Sequence, residues 1–411
     1  MNKLNLVIDF NNISIRSLFT CRYIPYASSG VHFDKMDTDE EAKFFISKLA
    51  TDMCYIMRIF VPNRVIIVCD SKNEWRKDLY AEYKATRQKD EDLNWDKIYS
   101  TMHEFKQVLK KAGYAVCEIN KAEADDLASL WRKVSYSEGD DVLLVSSDKD
   151  WTQLTDFNGK NFCMCFNPIP NNKGKKVLYM THDAESWLLS GGNKTDIFNM
   201  GLGNTKNNIM DSVMVDKRIE FTLIEPSKVL LEKVMCGDDG DNVPSMMEFY
   251  RSGRKTRVTP LKSQKILEQL ESPDMSGIIK GATDGKLKEA LEGVMKQDTD
   301  FDVPERVMRQ RLLVELDPDL FPEEIKENFG YMLKDMEKVG FIHPDYMKAS
   351  YMLANSRFVV PEKPSRHLNN IFDRYDSTVN PNPGSTPSMP LNYEPKDLPP
   401  IAKKSRSISL F

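Results

Sequence analysis

The sequence predicts an α/β fold, a central and mostly parallel sheet flanked by helices. Three observations carry this. Residues 4–8, 65–69 and 142–145 are short, largely branched apolar runs, interrupted only by Asn5, the pattern of strands buried on both faces. Segments with helical spacing lie between them, the alternation expected of layered α/β domains. Each run leads into an aspartate, Asp9, Asp70 or Asp148, and ligands of open α/β sheets bind beyond the carboxyl ends of the strands.

In chain order, residues 40–60 follow the first strand with Phe44, Phe45, Leu49, Met53, Ile56 and Met57 at helical spacing, and lead into the strand before Asp70. Residues 95–112 place Ile98, Met102, Phe105, Val108 and Leu109 on one helical face, stopped by Gly113. Residues 114–119 read as a third strand. Glu123, Asp125 and Asp126 then open a helix whose apolar face is Leu127, Leu130 and Trp131. From about residue 176 to 358 the strand signal fades and helices dominate. The exception there is the polar, Gly-containing stretch 193–208, expected as a loop or insertion. A helix over 227–235 precedes the turn Gly237-Asp238-Asp239-Gly240-Asp241-Asn242. The expected division is a catalytic domain at 1–175 with a helical bridge near 72–95, a helical nucleic-acid-binding subdomain at 176–358 that completes the site, and a flexible tail at 359–411.

That tail holds nine prolines in its last 51 residues, a composition that cannot enter a core. Two apolar islands interrupt it. Leu368, Ile371, Phe372 and Tyr375 have helical spacing suited to a partner's groove, and the chain ends in Ser407-Ile408-Ser409-Leu410-Phe411.

The 411 residues, with 41% apolar and 29% charged side chains, are ordinary for a soluble protein. No run of about 20 apolar residues and no secretory leader is present, so a soluble, cytoplasmic protein is expected. The seven cysteines lack metal-ligand spacing; Cys163-Met164-Cys165 is the one close pair, and reduced, buried thiols are expected. No Gly-x-x-x-x-Gly-Lys loop suggests an NTPase, and the five histidines form no nucleophile arrangement. The net charge of −5 hides local basic groups at Arg76-Lys77, Lys84 and Arg87, at Lys173 to Lys176, and at Arg251, Arg254, Lys255, Arg257 and Lys262.

Nine carboxylates carry the chemistry: Asp9, Asp70, Glu123, Asp125, Asp126, Asp148, Asp150, Asp238 and Asp241. Two like charges about 4 Å apart cost roughly 4 kcal/mol at an effective dielectric of about 20, so ionised carboxylates gathered on one rim need cations. A site of oxygen ligands without His or Cys suits Mg²⁺ or Mn²⁺. An acid at a helix start also serves the helix dipole, but three carboxylates in Glu123-Ala124-Asp125-Asp126 exceed what capping needs. Lys84 and Arg87, on one face if helical and with Tyr83 beside them, suit a phosphodiester, the cations positioning the anion and the ring stacking a base.

The ordered set Val7-Ile8-Asp9-Phe10-Asn11-Asn12, Asp70, Tyr83-Lys84-Ala85-Thr86-Arg87, Glu123-Ala124-Asp125-Asp126, Ser147-Asp148-Lys149-Asp150-Trp151 and Gly237 to Asn242 resembles the flap endonuclease/5'-nuclease family, nearest to its phage branch. The resemblance covers residues 1–345. It implies a PIN-like fold and a two-metal hydrolase, a 5'-3' exonuclease and flap endonuclease that removes RNA primers during lagging-strand replication. It implies further that Asp9, Asp70, Glu123 and Asp125 serve one ion, that Asp126, Asp148, Asp150, Asp238 and Asp241 serve the other, and that Lys84 and Arg87 grip the scissile phosphate. Tyr83, Arg76, Lys77, Arg254, Lys255, Arg257 and Lys262 would contact nucleic acid: DNA with 5' ends or flaps, and RNA–DNA hybrids. Ile408, Leu410 and Phe411 resemble a sliding-clamp-binding terminus, with a single-stranded DNA-binding protein as a further partner of a monomeric enzyme. After Pro244 this chain departs from the family, with Ser245-Met246-Met247-Glu248-Phe249-Tyr250 in place of the usual Gly-rich hairpin, which puts a monovalent ion in doubt. The alternatives are a PIN-type ribonuclease acting on RNA alone and a catalytically silent DNA-binding scaffold; the full set of mutually repelling acids argues against silence.

Overall fold

The apolar runs do become adjacent strands. A computed structural model describes residues 3–60, 62–111, 114–189 and 219–339. Strand β1 (Leu4–Asp9) leads into helix α1 (Phe10–Arg22), the single turn α2 (Tyr26–Ser29) and the long α3 (Asp39–Phe60). Then come β2 (Arg64–Val68), the short α4 (Trp75–Leu79), α5 (Trp95–Lys111), β3 (Ala115–Cys117), α6 (Ala124–Glu138) and β4 (Asp141–Val145). A 3-10 turn (Lys149–Leu154) precedes β5 (Asp156–Phe157), β6 (Phe162–Asn167) and β7 (Lys176–Met180), followed by α7 (His182–Leu189) and β8 (Ile219–Leu223). The sheet order is β3-β2-β1-β4-β6-β7-β8, with β5 on β6. The pairs β1–β2, β1–β4, β2–β3, β4–β6 and β7–β8 are parallel; β5–β6 and β6–β7 are antiparallel.

Alternation along the central strands builds two cores. Leu4, Leu6 and Ile8 of β1, with Ile67 and Val145, face α1, α3 and α5 through Phe10, Phe45, Leu49, Phe60 and Phe105. Val7, Ile66, Val68 and Leu144 face the other way, against Leu127, Leu130 and Trp131 of α6 and Phe329 of a later helix. Each such side chain contributes about 1.5–3 kcal/mol on burial, which fixes the strand register and with it the positions of Asp9, Asp70 and Asp148.

The sheet does not stop where the strand signal fades. Strands β7 and β8 extend it past residue 175, and because they lie toward one edge their partly exposed, mixed composition hides them from a search for unbroken apolar runs. The third strand is shorter than the expected 114–119. Beyond β8, helix α8 (Pro226–Cys236), the hairpin β9 (Glu248–Arg251) and β10 (Arg254–Arg257), and helices α9 (Pro260–Leu267), α10 (Met275–Asp284), α11 (Lys286–Met295) and α12 (Val303–Val314) enclose a third core. Helix α13 (Glu323–Val339) returns to α6, so the helical part is not wholly separate from the sheet. Among the described residues no helix is long and apolar enough to cross a membrane. The expected loop at 193–208 and the tail, including the helix at 368–375 and Ile408, Leu410 and Phe411, lie outside the described residues.

One loop is organised by a single acid. The buried Glu41 carboxylate accepts from the amides of Asp34 (2.8 Å), Met36 (3.0 Å), Asp37 (3.0 Å) and Thr38 (2.9 Å), and from the Thr38 hydroxyl (2.9 Å). Burial pushes its pKa up, but these donors outweigh burial and bring it down to about 2. Its contribution is therefore present above the ordinary carboxylate range and lost only as pH falls toward 2. Glu41→Ala, which strands several amides, is expected to lower unfolding free energy by about 3 kcal/mol in a urea titration; a change under about 0.5 kcal/mol would contradict this role.

Candidate active site and metal centre

The loops leaving β1 and β4 are laced together by short polar side chains. Asp9 caps α1, its Oδ1 accepting from the Asn12 amide (3.0 Å) and its Oδ2 from the Ser146 hydroxyl (2.8 Å). Asn12 Oδ1 accepts from the Ser147 amide and hydroxyl at 3.0 and 2.8 Å. Ser146 Oγ accepts from the Asp148 amide, and Asp148 Oδ1 from the Asp150 amide, both at 3.0 Å. From the strand on the other side, Asp70 Oδ1 accepts from the Ala124 amide (2.8 Å), pinning the start of α6. Asp125 Oδ1 then accepts from the Trp151 indole (2.6 Å).

Electrostatics show that these acids face one another. Burial raises the Asp9 pKa to about 7, with Asp70 and Asp148 adding to it against the Asn12 and Ser146 hydrogen bonds. Burial and Asp148 likewise push Asp150 up to about 7, although Lys233 pulls it down. Asp125 is driven well above the carboxylate range by burial and then by Asp148, and Asp70 is raised by burial although Lys84 and the Ala124 amide oppose it.

Asp238 and Asp241 arrive from the far side. Carboxylate oxygens of Asp150, Asp238 and Asp241 lie within 4.8 Å of one another. The turn that brings them is closed by two backbone bonds, Asp238 N–H to Val243 O (2.9 Å) and Val243 N–H to Asp238 O (2.7 Å). Gly237 has φ +74, and a Cβ there would stand 2.3 Å from the Val243 carbonyl oxygen, so only glycine fits. Lys233, one helical turn earlier, bridges Asp150 and Asp238 with its ammonium. Burial raises Asp238, but Lys233 more than offsets it and holds the carboxyl below its ordinary range.

Glu123 and Asp126 have a different setting. Arg76, 1% exposed, reaches Glu123 Oε2 at 2.6 Å and Asp126 Oδ1 at 2.8 Å. Asp126 Oδ2 accepts from the Trp75 indole and the Glu123 amide, each at 3.0 Å. The Tyr83 hydroxyl lies 3.2 Å from Glu123 Oε2 and 3.1 Å from Asp241 Oδ2, and Lys84 is paired with Glu123. Burial pushes Glu123 up, yet Lys84 and Arg76 bring it down to about 2.

These contacts correct several sequence expectations. Asp126 has both oxygens engaged, by Arg76, Trp75 and the Glu123 amide. Arg76 is a buried counter-ion and presents nothing to a phosphate. Tyr83, 3% exposed, cannot stack a base. Lys84 and Arg87 are not on a helix: α4 ends at Leu79, Lys84 has φ +58, and its amide bonds the Asp241 carbonyl (2.8 Å) while Asn242 Nδ2 bonds Glu82 O (2.8 Å). Bonding to the remote turn replaces the helical ladder. Both cations still reach the rim, Lys84 at Glu123 and a more exposed Arg87 at Asp241. Lys77 is exposed and pairs with Glu74. Lys255 and Arg257 lie on the hairpin, paired with Glu248 (3.2 Å) and Asp239, Arg254 opens the hairpin's second strand, and Lys262 Nζ donates to Arg257 O (3.1 Å). Sequence reasoning missed Asn12, Ser146, Trp75, Trp151 and Lys233 as members of the site; a lysine one turn before an Asp-bearing loop was the visible signal for the last.

Residues 5–185 match the family model of the N-terminal, resolvase-like domain of 5'-3' exonucleases. Over those residues the chain is similar to the 5'-3' exonuclease family. The 5'-3' exonuclease of Mycoplasmopsis pulmonis is 23% identical over 292 residues, 69% of this chain and 81% of that protein. Ribonuclease H of Enterobacteria phage T4 is 29% identical over 171 residues, 39% of this chain and 50% of that protein. DNA polymerase I of Streptococcus pneumoniae (strain R6) is 29% identical over 243 residues, 58% of this chain but only 22% of the polymerase. Asp9, Asp70, Asp125, Asp148 and Asp150 all come from within the matched region. Asp238 and Asp241 lie beyond it. With only oxygen donors among its candidate ligands, the site fits hard divalent cations.

Proposed function

We propose that the chain is a structure-specific 5'-nuclease, a 5'-3' exonuclease and flap endonuclease that hydrolyses phosphodiesters with two divalent cations, Mg²⁺ or Mn²⁺. The observation that carries this reading is the meeting of two carboxylate groups beside two cationic side chains. Asp9, Asp70 and Asp125 would hold one ion, and Asp150, Asp238 and Asp241 the other, with Asp148 between them. Glu123 moves from ligand to anchor for Lys84. Bound there, the ions would supply an activated water and stabilise charge on the phosphoryl oxygens.

The chain's own residues do the rest. Glu123, Asp241 and Asp125 keep the Lys84 ammonium protonated despite burial, so it meets a phosphate as a fixed point charge. Arg87, 55% exposed at its side chain, has a planar guanidinium able to turn from Asp241 to a phosphate's paired oxygens. Asn12 and Ser146 hold Asp9 and the Asp148 loop in register. The substrates would be DNA with 5' ends or flaps and RNA–DNA hybrids, which fits removal of RNA primers and adjacent DNA on the lagging strand. A sliding clamp bound through Ile408, Leu410 and Phe411, a single-stranded DNA-binding protein, a monomeric state and a cytoplasmic location complete the proposal.

The test is cleavage of a 5'-flap duplex and of a 5'-labelled RNA–DNA hybrid in Mg²⁺ and in chelator. Both should be cut in Mg²⁺ and neither in chelator. No cutting of either substrate, or cutting that survives chelation, would overturn the reading; cutting of RNA alone would replace it with a ribonuclease.

A further inference from the structure

Helix α12 packs on α4 and α8, the helices that lead into the Lys84 segment and into the Asp238 turn. Its Val303, Val307, Leu313 and Val314 join the helical core, and Gln310 Nε2 donates to Pro244 O just past that turn. The helix also carries three arginines, which differ in their surroundings. Arg311 is satisfied, its Nε reaching Glu315 Oε2 at 2.6 Å. Arg306 and Arg309 are both partly buried, yet neither forms an ion pair among the described residues. Arg309 Nε is buried without an acceptor. Partly buried arginines are ordinarily paired, and a buried N–H that bonds nothing costs free energy.

The two guanidinium groups also oppose each other. Three positions apart, they share one face of the helix. Burial, and then the charge of Arg309, hold the Arg306 pKa below the ordinary arginine value, although Glu248, Asp300 and Tyr80 pull it up. Of these acids, Glu248 is already paired with Lys255 (3.2 Å). Arg306 lies over the Phe301 ring at 4.7 Å, which holds the face of its guanidinium and leaves the edge N–H groups for a ligand. Two cations that repel each other, one with an orphaned donor, are the inverse of the carboxylate rim and are completed by an anion. A phosphate suits them best, since its oxygens accept from guanidinium forks in pairs. The neighbours of Arg306 point the same way: Tyr80 stands three residues before Tyr83 and Lys84, on the segment that reaches the rim.

We propose that Arg306 and Arg309 form a phosphate-binding pair outside the carboxylate rim, taking one phosphodiester of a nucleic-acid strand held there. The proposal rests on the nuclease reading and adds two residues of α12 to it. It is tested on the full chain by fluorescence anisotropy of labelled 5'-flap duplex in Ca²⁺ across a range of salt, by melting in chelator with and without inorganic phosphate at constant ionic strength, and by wild-type flap cleavage in Mg²⁺. Arg306→Gln and Arg309→Gln should each weaken flap binding about tenfold and lower the slope of log affinity against log salt by about one unit. Arg309→Lys, which keeps the charge but not the fork, should retain the slope. Without phosphate, Arg309→Gln should melt no lower than wild type, because it removes a repulsion. A melting temperature well below wild type would make Arg309 a structural residue and overturn the proposal. Unchanged flap binding by both Gln variants would overturn it as well; if phosphate then stabilised the wild type but not the variants, the pair would be a site for free phosphate instead. Weakened variants beside a wild type that cuts nothing would leave the contact standing and remove the nuclease reading.

Discussion

Asp148→Ala is expected to lower single-turnover cleavage of a 5'-flap duplex by about 10³-fold or more. Asp148 occupies the centre of the rim: its charge is among the causes that raise Asp9, Asp125 and Asp150. It also accepts from the Asp150 amide and so caps the turn that presents Asp150 to Asp238 and Asp241. On the proposed reading the substitution removes the carboxylate that stands between the two groups and loosens the backbone that presents Asp150. Asp148→Asn keeps a cap acceptor but loses the charge, and should be nearly as slow. Equal far-ultraviolet circular dichroism would show that the fold survives. A rate within about tenfold of wild type for either variant would remove Asp148 from the machinery.

The second large effect concerns the protein without metal. Asp9 and Asp150 are both pushed up to about 7, against an ordinary value of 3.8, first by burial and then by neighbouring acids. The folded state therefore binds more protons than the unfolded chain between about pH 4 and pH 7. Stability from this source is fully present below the unfolded pKa and is lost as pH rises through 7, the reverse of an ordinary salt-bridged carboxylate. In chelator the melting temperature should fall between pH 5 and pH 8, by an amount corresponding to a few kcal/mol at about 1.4 kcal/mol per pKa unit. Mg²⁺ should abolish most of that slope, because a bound cation favours the ionised carboxylates. Asp150→Asn should flatten it in chelator as well. A metal-free melting temperature that is flat or rises over this range would contradict the arrangement.

The rim was legible because its strands are buried on both faces, which favours apolar runs such as 4–8, broken only by Asn5, and 142–145, and leaves the residues just after them at the sheet edge. Asp238 and Asp241 were legible as a turn, and Gly237 fixes that turn's backbone. Strands β7 and β8 were not, because strands toward one side of the sheet need no continuous apolar run. The roles of Arg76 and Tyr83 were misread for a related reason. Sequence shows a basic, aromatic segment, and such residues are usually exposed, but it does not show that Glu123 and Asp126 wait across the core to pair them. Lys84 illustrates how local pattern yields to remote bonding, since a helical phase placed it near Arg87 while the Asp241 turn sets its actual backbone. Lys233 escaped notice because a lone lysine on a helix is ordinarily solvated, whereas here it stands between two candidate ligands.

The central claim is that these carboxylates hold two divalent cations. A calorimetric titration of the metal-free chain with Mn²⁺, repeated on Asp9→Asn and on Asp150→Asn, tests it most directly. Two ions should bind to the wild type and one to each variant, with the retained site differing between them. Wild type that binds none, or variants that bind as the wild type does, would contradict the account.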